Sequence, residues 1–229
     1  MKAAPWDAVM SALEDWRGAW LREHGEGEDP AVTAIASYYR LDPWAVLAST
    51  ILSLRTKDET TMAASQRLLK ELPTMEALAA RPEEEIERLI YPVGFYHTKA
   101  KNLKKMAGII LERHGGKVPA DMETLLSLPG VGRKTANLVL SEAYEIDAIC
   151  VDVHVHRISN RAGWLGAAGT GSPEETERVL RDTLPRKYWR RINLLLVFYG
   201  QQVCRPLSPW CSRCVVAAHC ERRGVDRSR

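Results

Sequence analysis

The sequence predicts an all-α protein, and three observations carry that prediction. Apolar residues recur at i, i+3, i+4 and i+7 along most of the chain. Helix starts recur as well, written as Asp, Ser or Thr followed by proline or by glutamate three places on. The one stretch with a period of two, Ile149–Val155, has no partner strand elsewhere. Short helices with short connections point to packed helix pairs. The 229 residues suffice for one large domain or two small ones.

Taken in order, Trp6, Val9, Met10, Leu13 and Trp20 define a first amphipathic helix with Pro5 at its start. Glu23–Pro30 is an acidic, glycine-containing loop, and 31–39 is helical. Asp42-Pro43 is an N-cap with proline at the first helical position. It opens Trp44–Leu54, apolar on every side and therefore buried. Thr56-Lys57-Asp58-Glu59 has capping-box spacing for a helix to about Glu71. Two short helices follow, near 74–80 and 82–90.

Tyr91–Tyr96 is a turn marked by Pro92 and Gly94. The helix from His97 to His114 places Ala100, Leu103, Ala107, Ile110 and Leu111 on one stripe and ends at Gly115-Gly116. Lys99, Lys101, Lys104 and Lys105 give it a basic exposed side. After a short helix over 121–127, Leu128-Pro129-Gly130-Val131-Gly132 forms a hairpin, and a new helix starts near Arg133. Its apolar face is Ala136, Val139, Leu140 and Ala143, with Lys134, Asn137 and Ser141 opposite. Ser172-Pro173-Glu174-Glu175 is a second capping box, for a helix to Leu184. Tyr188, Ile192, Leu195, Leu196 and Tyr199 line the last helix, which stops at Gly200. The charged tail Glu221–Arg229 frays.

Hydrophobic residues at 45% and charged residues at 27% are an ordinary globular balance. A net charge of +3 suits a nucleic-acid partner without requiring one. No apolar run approaches the roughly 20 residues of a membrane span, so no membrane partner is expected. The N-terminus is amphipathic and unlike a secretory signal, which implies a cytosolic protein with reduced thiols. Clustered cysteines there suggest a metal site before a disulfide.

The chemistry lies in three places. Free N–H groups at the start of the helix after Gly132 suit an anion, such as a phosphodiester oxygen. Lys134 sits in that first turn, where the helix dipole disfavours an ammonium, and a neutral amine is a nucleophile. Asp152 either caps the helix that continues through Ile158 or provides a carboxylate beside Lys134. His154 and His156 suit ordinary polar roles better than a metal. Cys204, Cys211, Cys214 and Cys220 form C-x6-C-x2-C-x5-C, able to surround a zinc ion or an iron–sulfur cluster. Cys150 reads as a small core residue.

The hairpin LPGVGRKTAN, the segment VDVHVHR and the four-cysteine loop, in that order, closely resemble the endonuclease III family, the iron–sulfur branch of the helix-hairpin-helix DNA glycosylases. GFYHTKA is similar to a family segment too. The likeness runs from about Trp44 to Cys220. It implies two helical domains with a DNA-binding cleft between them. One is a six-helix barrel with the helix-hairpin-helix, residues 34–147, and the other joins 1–33 to 148–229 around the cluster loop. It implies Lys134 as the Schiff-base lysine, Asp152 as the catalytic aspartate, and Cys204, Cys211, Cys214 and Cys220 as ligands of a [4Fe-4S] cluster. It also implies VDVHVHR leading into a helix rather than a strand.

DNA contacts are then expected from Gly130, Val131, Gly132, Arg133, Arg55, Phe95 and His154. The implied activity is a monomeric, bifunctional glycosylase and AP lyase acting on oxidised pyrimidines or abasic sites in double-stranded DNA. The alternatives are the same chemistry on a mismatched thymine or uracil, and a non-catalytic DNA-binding iron–sulfur protein. Lys134 with Asp152 argues against the last, since mere binding needs neither. Adenine-removing relatives generally lack the lysine. The chain departs from the pattern at Arg55, where many members carry glutamine in S-x-Q-T-x-D, and the cluster loop has only Arg205 and Arg213 as positive charges.

Overall fold

The computed structural model describes residues 4–25 and 29–229, and all their regular structure is helical. The chain divides into two units, Pro30–Ile146 and the pair Met1–Asp29 with Asp147–Arg229.

The Pro30–Ile146 unit is built around an apolar helix. Its helices are α2 (Ala31–Tyr38), α3 (Pro43–Ser53), α4 (Asp58–Glu71), α5 (Met75–Ala79), α6 (Glu83–Ile90), α7 (Tyr96–His114), α8 (Met122–Ser127) and α9 (Arg133–Tyr144), close to the segments that the sequence marks as helical. Asp42 starts α3 as the sequence predicts, its carboxylate accepting the Ala45 N–H at 2.7 Å. Every residue from Trp44 to Leu52 is buried, and α2, α4, α7 and α9 pack around them. Burial stabilises each large side chain by roughly 1.5–3 kcal/mol. The Ser49 and Thr50 hydroxyls avoid an unpaired-group cost by donating to Val46 O at 3.1 and 2.7 Å.

Two expectations change here. Thr56 does not cap α4: Lys57 is the N-cap, with no side-chain cap. Lys99 does not join the exposed basic side of α7 but is buried, while Lys101 and Lys105 remain exposed. The helix ends on Gly115, in the left-handed region, with the Gly116 N–H on Ile110 O at 3.1 Å.

The second unit holds α1 (Trp6–His24), α10 (Val153–Ala162), α11 (Pro173–Thr183) and α12 (Trp189–Gln202). Trp6, Val9, Met10 and Leu13 of α1 share one core with Val155, Ile158, Leu180, Ile192, Leu196 and Tyr199. Trp6 meets Trp164 edge-on at 5.4 Å. Helix α1 extends through His24 into the expected acidic loop, of which residues 26–28 lie outside the described residues.

Asp152 begins α10, so the period-two stretch is a connection and a first helical turn, not a strand. Ser172 caps α11 by accepting the Glu175 N–H at 3.2 Å, and Glu175 answers by accepting the Gly171 N–H at 2.7 Å. Helix α12 passes through Gly200 instead of stopping there. A Cβ on that residue would lie 2.4 Å from His154 Nδ1, so any side chain there would have to displace the His154 ring of α10. The tail is tied down rather than frayed: Arg229 N–H donates to Pro209 O at 2.8 Å, and Arg223 Nη1 donates to Gly166 O at 2.7 Å.

Candidate nucleic-acid interface and cysteine loop

The hairpin between α8 and α9 is closed by the Val131 N–H on Leu128 O at 3.1 Å. Gly130 holds φ at +79°, and a Cβ there would stand 2.7 Å from Asn102 Nδ2 of α7. Gly132 is the N-cap of α9, extended at φ −99°, with open space where a Cβ would be. It brings no side chain to cap the first turn. Gly132 and Arg133 are exposed, Val131 is buried and Lys134 is half-buried. Beyond them α9 is buried on all sides from Thr135 to Ser141. Asn137 and Ser141, which spacing puts opposite the apolar stripe, therefore lie in the interior as well.

Arg55 and Phe95 stand together in the same unit. Both hold positive φ, 53° and 57°, in the left-handed region. Both are exposed, Phe95 at 62%. The Arg55 guanidinium sits over the Phe95 ring, 5.5 Å from its centroid. Residues to which spacing assigned other roles hold them there. Thr56 Oγ1 accepts the Gly94 N–H at 3.2 Å and the Lys99 ammonium at 3.1 Å. These partners lie 38 and 43 positions away, beyond the reach of any local motif.

In the other unit, Asp152 Oδ1 accepts the N–H groups of His154 and Val155 at 2.8 and 2.9 Å. The capping role is thus real, and it falls on one carboxylate oxygen. His154 Nδ1 lies 3.1 Å from Arg157 Nη2, and the ring leans against Gly200. His156 Nδ1 lies 2.7 Å from Thr176 Oγ1 and 3.2 Å from Asn160 Nδ2. Both histidines serve the packing of α10.

The four cysteines of the loop are unpaired by disulfides, and Cys204, Cys214 and Cys220 pack against the core of their unit. Burial pushes the Cys204 and Cys220 thiols up, while an Arg161 N–H at 3.3 Å from Cys204 Sγ opposes the rise there. Arg222 N–H reaches Cys220 Sγ at 3.4 Å. Among the described residues no three His, Cys, Asp or Glu side chains converge on one metal ion. Four thiols within one loop are a donor set that suits either a zinc ion or an iron–sulfur cluster.

Comparison with known proteins matches residues 48–186 to the model of the HhH-GPD superfamily of base excision DNA repair proteins. Endonuclease III of Thermotoga maritima is 46% identical over 191 residues, covering 82% of this chain and 88% of that protein. Endonuclease III-like protein 1 of Bos taurus is 40% identical over 218 residues, 90% of this chain and 71% of the relative. A solved trapped endonuclease III–DNA covalent intermediate superposes with a TM-score of 0.75 at 30% identity, covering 93% of this chain and 94% of the other.

Proposed function

The chain belongs to the endonuclease III family, within the HhH-GPD superfamily of base excision DNA repair proteins, and from that premise we propose how its residues divide the work. It is a DNA glycosylase and AP lyase with DNA as its partner. Our reading of the lesion is an oxidised pyrimidine in duplex DNA, and of the nucleophile, Lys134.

One observation carries this reading. Lys134 lies in the first turn of α9, two places after a glycine N-cap that brings no side chain of its own to that turn. Such a helix end suits a DNA phosphate, and a phosphate held there brings the neighbouring sugar toward the amine. The damaged nucleotide must first leave the stack, at a cost of a few kcal/mol that is least for a poorly held base. The amine then attacks C1′ while the base departs with the electrons of the glycosidic bond. Asp152 accepts a proton from the amine or stabilises positive charge at the sugar, using the oxygen its cap leaves over. Ring opening gives an imine. Loss of the C2′ proton then expels the 3′ phosphate by β-elimination, and water releases the lysine.

Cys204, Cys211, Cys214 and Cys220 would hold a [4Fe-4S] cluster. Bound there, it supplies iron–thiolate bonds that close the loop. Gly130, Gly132 and Arg133 would meet the backbone, and Arg55 with Phe95 the space the flipped base leaves.

Borohydride trapping tests the assignment. Lys134→Gln should bind abasic duplex yet form no adduct and leave the strand intact. Asparagine is as good an N-cap as aspartate, so Asp152→Asn keeps the start of α10 and isolates the chemistry. Base release should slow by about 10²-fold or more. Full trapping by Lys134→Gln would move the nucleophile elsewhere. Lys99 is a poor substitute, since it is buried with its ammonium tied to three oxygens.

A further inference from the structure

A buried ammonium needs a reason, because desolvating a charge is costly unless every donor is used. Lys99 is 5% exposed. Its Nζ donates to Leu52 O at 2.9 Å, to Leu54 O, and to Thr56 Oγ1 at 3.1 Å. The first two carbonyls close the C-terminal end of α3, where a cation is favoured. The third acceptor begins the chain's exit from Arg55. The backbone N–H of Lys99 donates to Phe95 O at 3.0 Å. One residue therefore grips the Arg55 loop with its side chain and the Phe95 turn with its main chain. Thr56 closes the ring through the Gly94 N–H, and a Cβ on Gly94 would come within 2.7 Å of Arg55 O.

An α3 cap alone would not account for what this ring supports. Two non-glycine residues with positive φ face solvent side by side, one ring beneath one guanidinium. Strain of that kind persists only where the surroundings over-determine it, and it gathers at functional positions. We propose that Lys99 is a positioning residue that locks Arg55 and Phe95 into one rigid two-pronged element, so that both enter the gap beside a flipped nucleotide together. The inference rests on the reading of Arg55 and Phe95 as DNA contacts. Preorganisation is what the lock provides, because neither prong has to be ordered when DNA arrives.

The test uses the full protein and two duplexes, one undamaged and one carrying a tetrahydrofuran abasic analogue opposite 2-aminopurine. Lys99→Met should lower the preference for the tetrahydrofuran duplex by about tenfold, the scale of one well-placed contact, and leave undamaged binding unchanged. It should also lose the change in 2-aminopurine fluorescence that wild type shows on binding, a signal that a general loss of stability does not produce in protein that still binds. Arg55→Ala added to Lys99→Met should cost nothing further, since residues acting as one unit are not additive. Should Lys99→Met fail to fold, Thr56→Val carries the same test, removing the oxygen shared by loop and turn while leaving Lys99 on the α3 carbonyls. Retained preference and fluorescence, or additive losses, overturn the inference. If Arg55→Ala and Phe95→Ala lose the preference while Lys99→Met keeps it, the lock alone falls. If they too keep it, the DNA-contact reading falls with it.

Discussion

Two glycines two places apart in one hairpin have different duties. Gly130 is needed by the fold, since its φ of +79° and the nearness of Asn102 leave no room for a side chain. Gly130→Ala should cost at least about 1 kcal/mol in urea denaturation. At Gly132 the backbone is extended and a Cβ meets nothing within 4 Å. Gly132→Val should therefore cost no more than about 1 kcal/mol, the difference between glycine and an apolar residue at an N-cap. Binding to every duplex should nonetheless weaken, damaged or not, because phosphate contacts position the protein without reading sequence. Weakened binding to one lesion alone would contradict the assignment. Lys99 supports a second residue-scale prediction. Burial lowers its pKa to about 8, against roughly 10.4 for an unfolded lysine. Between those values the unfolded chain holds the proton that the folded chain has lost, so stability from this group rises with pH. Below about 8 both states are protonated and the difference is flat. The stability of wild type minus that of Lys99→Met should therefore climb from pH ~8 to ~10.5. A decline across that window would mean that the ammonium is better held folded than unfolded.

At the scale of elements, what the sequence shows depends on how far a residue's partner lies along the chain. Asp42 and Ser172 cap the helices their spacing marks, and Thr74 and Asp121 cap the short helices that follow them, because a cap bonds an N–H three places on. Asp42 matters most, since it starts the helix that α2, α4, α7 and α9 enclose. Asp42→Ala should cost about 1 kcal/mol in urea denaturation, and Asp42→Asn much less. Equal losses would show that charge rather than capping is at work. Thr56 has the same local signature and caps nothing, because Gly94 and Lys99 claim its hydroxyl. Gly200 has the composition of a helix stop, yet its true neighbour is His154, 46 positions earlier by number and invisible to periodicity. Lys99 reads as one more lysine on a basic face until the end of α3 is placed beside it. The hairpin glycines, Lys134 and the four cysteines were legible because each set is contiguous or nearly so. The ring that holds Arg55 and Phe95 was not, because it joins segments some forty residues apart.

For the whole molecule, the consequential fact is that one core is assembled from both ends of the chain. Trp6, Val9, Met10 and Leu13 pack with Val203, Val216, Leu196 and Tyr199, and Cys204, Cys214 and Cys220 border the same core. The cysteine loop is joined to it by polar contacts as well: Trp164 Nε1 donates to His219 O at 2.8 Å, and the Val215 N–H donates to Tyr199 Oη at 2.9 Å. The Pro30–Ile146 unit has its own core around α3 and shares none of these residues. If the loop is closed by a [4Fe-4S] cluster, losing the cluster should loosen the first residues of the chain along with the last. Purified protein should be brown, with a broad band near ~400 nm that bleaches on cluster loss. Hydrogen exchange then reads the result. Residues 6–24 should lose protection in step with 189–220, although they are far apart in sequence, while 43–53 and 96–114 keep theirs, since cooperative units open separately. Uniform loss across both units would show that the chain unfolds as one body. Loss confined to 204–220 would show that the loop hangs on a core that stands without it.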